Sequence, residues 1–110
     1  MSTNEKVWFL RGLLIATAML GETLTYDQVR RLCRLSDRQV GTMLGKARAG
    51  RPAGSPDFCA VVQKSIGSPG KGWGDIKLWI AELKRVHSFW QDRAELDNNE
   101  FFVKHGVLPL

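Results

Sequence analysis

The stretch LTYDQVRRLCRLSDRQVGTML, residues 24–44, contains the same local signal twice. The segments TYDQ (25–28) and SDRQ (36–39) each place a hydroxyl residue three positions before a glutamine. In such a pair, the hydroxyl and the glutamine side chain satisfy each other's free backbone donors at the start of a helix. We therefore expect two short helices, over residues 26–34 and 37–48, joined by a short turn in the manner of a helix-turn-helix.

The second of these predicted helices has two distinct sides. One side is apolar and consists of Val40, Met43, Leu44 and Ala47. The opposite side carries Arg38, Gln39, Thr42, Gly45 and Lys46. Gly41 and Gly45 each cost about 1 kcal/mol relative to alanine inside a helix, so we expect either a neighbouring helix or a nucleic-acid strand to approach the backbone there. In the first predicted helix, the inner stripe consists of Val29, Leu32 and Cys33.

The following segments predict a small β unit beside the helices. AGRPAGSPD, residues 49–57, is a loop by composition. FCAVVQKS, residues 58–65, is an apolar run typical of a strand, and IGSPGKGWGD, residues 66–75, is too rich in glycine for regular structure. Its glycines leave backbone N–H groups open between Lys64 and Lys71, which suits phosphate contact. The sequence pattern of a nucleotide-binding P-loop is absent from this stretch.

Two longer amphipathic segments predict supporting helices over residues 5–20 and 75–95. The first has an apolar side of Val7, Leu10, Leu14, Thr17 and Ala18, widened by Trp8 and Leu13, and it ends at Gly21. The second is capped by Asp75 and has an apolar stripe of Ile76, Trp79, Ile80, Leu83, Val86 and Trp90, with Phe89 beside it. We expect these helices to pack on each other, and we expect the apolar tail, residues 97–110, to dock on the body or on another subunit.

The predicted fold class is therefore mostly α with a small β wing. A single domain, residues 1–110, contains a winged helix-turn-helix over residues 24–74, flanked by N- and C-terminal packing helices. A chain of this length supports one modest core and is too short for two.

The net charge of +5 is concentrated in the middle of the chain. Between Gly21 and Gly72 there are nine Lys/Arg residues and four Asp/Glu residues, whereas the rest of the chain contains seven of each. Charge of one sign concentrated on one segment is typical of a protein with a polyanionic partner. A solvated basic face without a partner is the alternative interpretation.

Several other classes of protein are disfavoured by the composition. A disulfide scaffold is not expected with only Cys33 and Cys59, and a reducing cytoplasm fits better. The first apolar run contains Arg11 and is too short to span a bilayer, so no membrane partner is expected. The two cysteines and two histidines lack metal-ligand spacing, so no metal or other cofactor is expected. The acidic pairs Asp92/Glu95 and Asp97/Glu100 are interpreted as solvated charge.

Residues 24–74 resemble the helix-turn-helix and active-site region of the alkylguanine-DNA alkyltransferases and alkyltransferase-like proteins. In that family, a Thr/Ser-Tyr pair opens the first helix and Arg-x-Val-Gly opens the recognition helix, which match Thr25-Tyr26 and Arg38-Gln39-Val40-Gly41 here. The resemblance implies that Tyr26 helps to swing a phosphate and that Arg38 holds the place of a flipped-out nucleotide. The family's Pro-Cys-His-Arg-Val strand is similar to residues 58–62, followed by Gly67.

The active-site chemistry of that family is not expected here. Ala60 stands where the family has a histidine, and a cysteine nucleophile needs such a base to become a thiolate. We therefore interpret Cys59 as a small buried hydrophobic residue. Residues 24–90 are also similar to a group of small bacterial and phage domains with an alkyltransferase-like helix-turn-helix, a P-x-x-x-A-[LV]-V-V strand, a G-x-P-G-x-G-[FW] loop and an aromatic helix. In that group, Cys59 needs no role.

These observations predict a non-catalytic winged-helix DNA-binding protein, a cytoplasmic regulator of bacterial or phage/mobile-element origin. The groove contacts would come from Arg38, Gln39, Thr42 and Lys46. The phosphate contacts would come from Arg30, Arg31, Arg34, Arg48 and Arg51, with Lys64 and Lys71 on the wing, and the family resemblance adds Tyr26. The alternative is a phage or mobile-element protein-binding module that inhibits a host defence or nucleic-acid-processing complex. Helix-turn-helix proteins often pair, so a homodimer is compatible with either function.

Overall fold

The elements of the fold follow the predicted order, and the described part is mostly helical with a small three-stranded sheet. The computed structural model describes residues 2–94, including only the backbone of Lys71 and Ala94. The helices are α1 (Thr3–Met19), α2 (Tyr26–Leu32), α3 (Asp37–Ala49) and α4 (Ile76–Ala94). The strands are β1 (Leu24–Thr25), β2 (Val62–Ser65) and β3 (Ser68–Pro69), and short 3-10 turns cover Phe58–Val61 and Lys71–Trp73.

The predicted helix starts are confirmed by their hydrogen bonds. The Thr25 hydroxyl accepts from the Gln28 backbone N–H at 3.2 Å, while Gln28 Oε1 accepts from the Thr25 N–H at 2.9 Å. Gln39 Oε1 accepts in the same way from the Ser36 N–H, at 2.8 Å. At the start of α4, Asp75 accepts from the Lys77 N–H at 2.8 Å. These bonds satisfy backbone donors that have no partner inside the helix.

The core lies where α1, α3, α4 and the first 3-10 turn meet. The predicted inner side of α1 is confirmed, as is that of α3, and both sets of residues are buried. Trp90 and Val86 of α4 are fully buried beside α1, and Trp79 Nε1 donates to the Ala60 carbonyl at 2.8 Å. The predicted packing of the two long helices on each other is therefore confirmed.

Four predicted core positions are wrong. Leu32 is more than half exposed because α2 ends at this residue. Arg34 then takes a left-handed φ of 53°, and Leu35, rather than Leu32, is buried in the core. Trp8 is 52% exposed, on the outer side of α1. In α4, Ile76 and Ile80 are 48% and 41% exposed, because the buried side of this helix runs through Trp79, Leu83, Val86 and Trp90.

The predicted strand over residues 58–65 is half wrong. Its first half, Phe58–Val61, is a fully buried 3-10 turn, and only Val62–Ser65 is a strand. The Asp57 carboxylate accepts from the Cys59 N–H at 3.0 Å and so starts the turn. The glycine-rich stretch was predicted to be irregular, yet Ser68–Pro69 pairs with β2 as a short antiparallel strand.

The outer parts of the chain add two observations. No helix within residues 2–94 has the length and apolarity needed to cross a membrane. The predicted docking of the tail over residues 97–110 lies outside the described residues, as do Glu95, Asp97 and Glu100.

Candidate functional site

Tyr26 lies at the centre of the candidate site, and two elements of the fold, β1 and α2, fix its position. It is the first residue of α2 and directly follows β1, which pairs in parallel with β2 through Leu24↔Val62 and Thr25↔Gln63. The pairing brings the tyrosine ring to the loop that follows β3. A Cβ added at Gly70 would overlap the Tyr26 hydroxyl, so a larger residue at position 70 would displace the tyrosine side chain.

Two depressions meet at Tyr26, and together we call them the α3 groove. The first, of about 120 Å³, lies between α3 and the loop after β3. Its lining includes Tyr26, Gly41, Gly45, Arg48, Cys59 and Trp73. The second, of about 320 Å³, lies between α2, α3 and β2, and its lining includes Tyr26, Arg30, Asp37 and Lys64. The groove therefore joins α2, α3 and the β2–β3 hairpin along one surface.

The two helical glycines on this surface face open space. A Cβ added at Gly41 or at Gly45 would have no heavy atom of the described chain within 4 Å, apart from its own helix and chain neighbours. Among the described residues, therefore, no neighbouring helix packs against Gly41 or Gly45. This removes one of the two expected reasons for glycine at these positions. Both glycines still destabilise the helix relative to alanine. Close approach by an external group is the expected reason that remains.

Three cations beside the groove have no carboxylate partner among residues 2–94. Arg38 and Lys46 lie on the exposed side of α3, and Lys64 is exposed on β2. Thr42 is exposed on the same side of α3 as Arg38. These charges are available to an external anion without the loss of an internal ion pair.

The cations of α2 are already paired. Arg30 contacts Asp27 at 2.8 Å and Asp37 at 3.4 Å, and Arg31 contacts Asp27 at 3.0 Å. The hydrogen bond from Arg30 and the nearby charges of Arg30 and Arg31 lower the pKa of the Asp27 carboxyl. Two of the predicted phosphate contacts therefore sit in an internal network that neutralises much of their charge.

Arg48, which lines the first depression, forms an ion pair with Asp57. Arg48 Nε lies 2.7 Å from Asp57 Oδ2, and Asp57 is largely buried. Burial alone would lower the pKa of Arg48, but the Asp57 charge and the neighbouring Cys59 raise it overall. Arg48 is thus held against the wall of the groove by a buried carboxylate.

The Cys59 thiol is buried at the same place. Its Sγ donates to the Leu44 carbonyl at 3.5 Å. Burial raises the pKa of Cys59 to about 12, and the Asp57 carboxylate contributes in the same direction, although Arg48 opposes it. The thiol is therefore protonated near neutral pH, which agrees with its interpretation as a small buried residue.

Four further predicted residues have more limited roles at this surface. The Gln39 side-chain oxygen is engaged in the α3 cap, which leaves its amide N–H groups for other partners. Arg51 donates to the Arg48 and Ser55 carbonyls, at 3.1 and 3.3 Å, and so holds the loop after α3. Arg34 lines a separate depression together with Phe9 and Leu32. Lys71 begins the second 3-10 turn.

Two residues without a predicted contact role stand out at this surface. Trp73 lines the first depression with Tyr26, so that two aromatic rings border it. Ile66 is 89% exposed at the turn between β2 and β3, where Gly67 has a φ of +79°. The lone tryptophan within a glycine-rich stretch was a usable signal for the first. Ile66 begins the stretch predicted to be irregular, but no local pattern there indicates that its side chain is exposed.

Among residues 2–94, no group of three or more histidine, cysteine, aspartate or glutamate side chains could hold a metal ion. Comparison with protein-family models, with curated proteins and with solved structures yields no match.

Proposed function

We propose that this protein is a non-catalytic DNA-binding protein of the winged helix-turn-helix type. In this proposal, α2 and α3 form the helix-turn-helix, α3 enters a groove of duplex DNA, and the β2–β3 hairpin is the wing. The protein would act as a regulator in the cytoplasm of a bacterium or of a phage-infected host. The resemblance of residues 24–74 to the alkyltransferase helix-turn-helix supports the same assignment of α3.

The observation that carries the proposal is the exposed side of α3. It combines two glycines that face open space with two cations, Arg38 and Lys46, that have no carboxylate partner among residues 2–94. A surface that lets a ligand reach the helix backbone, and that offers free positive charge there, suits a phosphate backbone or the edge of a base. On a helix face that contacts only solvent, charged residues are ordinary, but glycines would destabilise the helix without any compensating contact.

The absence of catalysis in this proposal is supported by the state of Cys59. A nucleophilic cysteine needs a lowered pKa and access to its substrate, whereas burial raises the pKa of Cys59 to about 12. We expect Cys59 of the native protein to resist iodoacetamide at pH 8 and to be labelled after unfolding in urea. Mass spectrometry of the Cys59 peptide measures both states. Rapid labelling of the native protein would contradict the non-catalytic assignment.

Titration of a labelled random-sequence duplex at two salt concentrations tests DNA binding directly. We expect micromolar affinity at low salt that weakens steeply as salt rises, because bound phosphates release counterions. An Arg38→Ala, Gln39→Ala double variant should bind more weakly at both salt concentrations. Circular dichroism controls for folding, since Gln39 also caps α3. The absence of binding at low salt would reject the proposal.

A protein-binding function is the second candidate, and the exposed aliphatic residues of α4 favour it. Ile76, Leu78 and Ile80 are 48%, 62% and 41% exposed near the start of this helix. A phage or mobile-element inhibitor could use such a surface, together with the basic face, against an acidic host protein. An affinity pull-down that captures one partner only with the wild-type protein, and not with an Ile76→Asp, Ile80→Asp variant, would support this function if duplex binding is absent.

A further inference from the structure

The turn between β2 and β3 presents one apolar side chain to water. Ile66 is 89% exposed, more than any other large hydrophobic side chain within residues 2–94. Gly67 follows it with a φ of +79°, and these two residues form the turn between the paired residues Ser65 and Ser68. The left-handed φ accounts for the glycine, which adopts it without steric cost. Neither the turn geometry nor the core accounts for the isoleucine, because this position of a turn favours other residue types.

The backbone that carries Ile66 is held firmly by the Gln63 side chain. Gln63 is only 8% exposed. Its Oε1 accepts from the Gly67 N–H at 2.8 Å, and its Nε2 donates to Thr23 Oγ1 at 2.9 Å. One buried amide therefore joins the turn to the segment that precedes β1.

These contacts give the hairpin a fixed direction. A two-stranded hairpin is marginally stable by itself, but β2 also pairs in parallel with β1 through Leu24↔Val62. Single exposed apolar residues are common on protein surfaces. Ile66 differs from an ordinary one because its backbone is already ordered, so a ligand that covers the side chain pays little further ordering entropy.

The charge beside the turn indicates what kind of ligand fits. Lys64 is exposed and has no carboxylate partner among residues 2–94. It lines the second depression together with Asp37 and Val40 from the start of α3, so β2 runs beside α3. Ile66 lies two residues farther along the hairpin. A free cation followed by an exposed apolar side chain matches duplex DNA, in which the phosphates lie outside and the apolar surface lies in the base stack.

We propose that Ile66 is an apolar wedge that enters the minor groove and separates two stacked base pairs where the wing crosses the duplex. This inference rests on the proposed function, in which α3 occupies the neighbouring major groove. Lys64 then contacts a phosphate between the two grooves. Apolar side chains that enter a base step unstack it and bend the DNA. Pyrimidine–purine steps unstack easily and A-tracts are stiff, so the protein selects deformable DNA without a hydrogen bond from Ile66 to a base.

Two duplexes of equal length test the wedge, one with repeated TA steps and one with an A-tract. Fluorescence anisotropy at several salt concentrations measures the affinity for each. We expect the wild-type protein to bind the TA duplex about tenfold more tightly. A fluorescent adenine analogue within the TA steps, whose emission is quenched by stacking, should brighten on binding.

Two variants of the hairpin should have opposite effects. Ile66→Ser should lose both the preference for the TA duplex and the brightening, while the slope of log affinity against log salt stays the same, because no cation is removed. Lys64→Ala should keep the preference and lower that slope by about 1. Leu78→Ser, at a residue of α4 that is 62% exposed, is the matched control and should change neither quantity. Circular dichroism establishes that all three variants remain folded.

The outcomes separate the wedge from the proposed function. If the wild-type protein binds duplex with a steep salt dependence but Ile66→Ser keeps the preference and the brightening, the wedge is overturned and DNA binding stands. Wild-type binding without preference or brightening overturns it in the same way, and this is the result expected if Ile66 contacts a protein partner instead. Equal effects of Ile66→Ser and Leu78→Ser also overturn the wedge. Absence of binding to either duplex rejects both the wedge and the proposed function.

Discussion

The two short helices of the basic segment differ in what their cations do. In α2, Arg30 and Arg31 are held by Asp27, and Arg30 also contacts Asp37. In α3, Arg38 and Lys46 have no such partner among the described residues. The two helices are neighbours in sequence, yet ion pairs hold both arginines of α2, whereas in α3 an ion pair holds only Arg48.

A count of basic residues therefore overstates the charge that is available to an external ligand. An ion pair inside the protein lowers the gain from a phosphate contact, because the internal partner must be displaced or must share the cation. The difference between α2 and α3 therefore ranks the predicted contacts, and it can be tested by changing each helix separately.

The largest expected effect comes from removing the unpaired cations. Arg38→Ala with Lys46→Ala should weaken duplex binding by about tenfold or more at low salt, and the slope of log affinity against log salt should fall by about 2. Fluorescence anisotropy at several salt concentrations measures both quantities. The matched control is Arg30→Ala with Arg31→Ala, for which we expect a loss of roughly threefold or less. Equal losses for the two double variants would break the distinction between the helices.

A smaller effect in the opposite direction is expected from Asp27→Asn. This change removes the carboxylate that holds Arg30 and Arg31, so their charge becomes available to a phosphate. We expect duplex affinity to rise by roughly threefold at low salt, with a steeper dependence on salt. Asp92→Asn, at an exposed position of α4, removes the same charge far from these arginines and serves as the control. If Asp27→Asn weakens duplex binding while the protein stays folded, the ion pairs with Asp27 do not limit the contribution of Arg30 and Arg31 to binding.

The local parts of this arrangement could be predicted from sequence, and the long-range parts could not. The caps at Thr25 and Ser36 involve residues three positions apart, and both helix starts were predicted correctly. The contact between Arg30 and Asp37 depends on the angle between α2 and α3, which no local pattern specifies. The turn at Phe58–Val61 was missed because a short apolar run has no period that separates a buried strand from a buried turn.

The same limit applies to the groove. The polar side of α3 was predicted because helical spacing fixes which residues share a side. That Gly41 and Gly45 face open space could not be predicted, because glycine suits both helix packing and ligand approach. The meeting of Tyr26 with Gly70 needed the parallel pairing of β1 with β2, which joins residues distant in sequence.

A still smaller effect, on stability rather than on binding, separates Arg48 from Arg38. Arg48→Met leaves Asp57 without its partner at a largely buried position, and we expect a loss of about 1 kcal/mol in the free energy of unfolding. Arg38→Met should change it by less than about 0.5 kcal/mol, because the side chain is exposed and makes no ion pair. Urea denaturation followed by circular dichroism measures both values. A larger loss for Arg38→Met would mean that its side chain stabilises the fold rather than serving a ligand.

If Gly41 and Gly45 keep the backbone of α3 open to DNA, the double variant Gly41→Ala, Gly45→Ala should change stability and DNA affinity in opposite directions. Both added methyl groups point into open space, so the helix should gain about 1 to 2 kcal/mol of stability. Duplex affinity should nevertheless fall by about tenfold, because the methyl groups keep the DNA away from the backbone. Ser88→Ala on α4, which raises helix propensity outside the groove, is the control. A double variant that is more stable and binds DNA as tightly as the wild type would show that these glycines have no role in DNA binding.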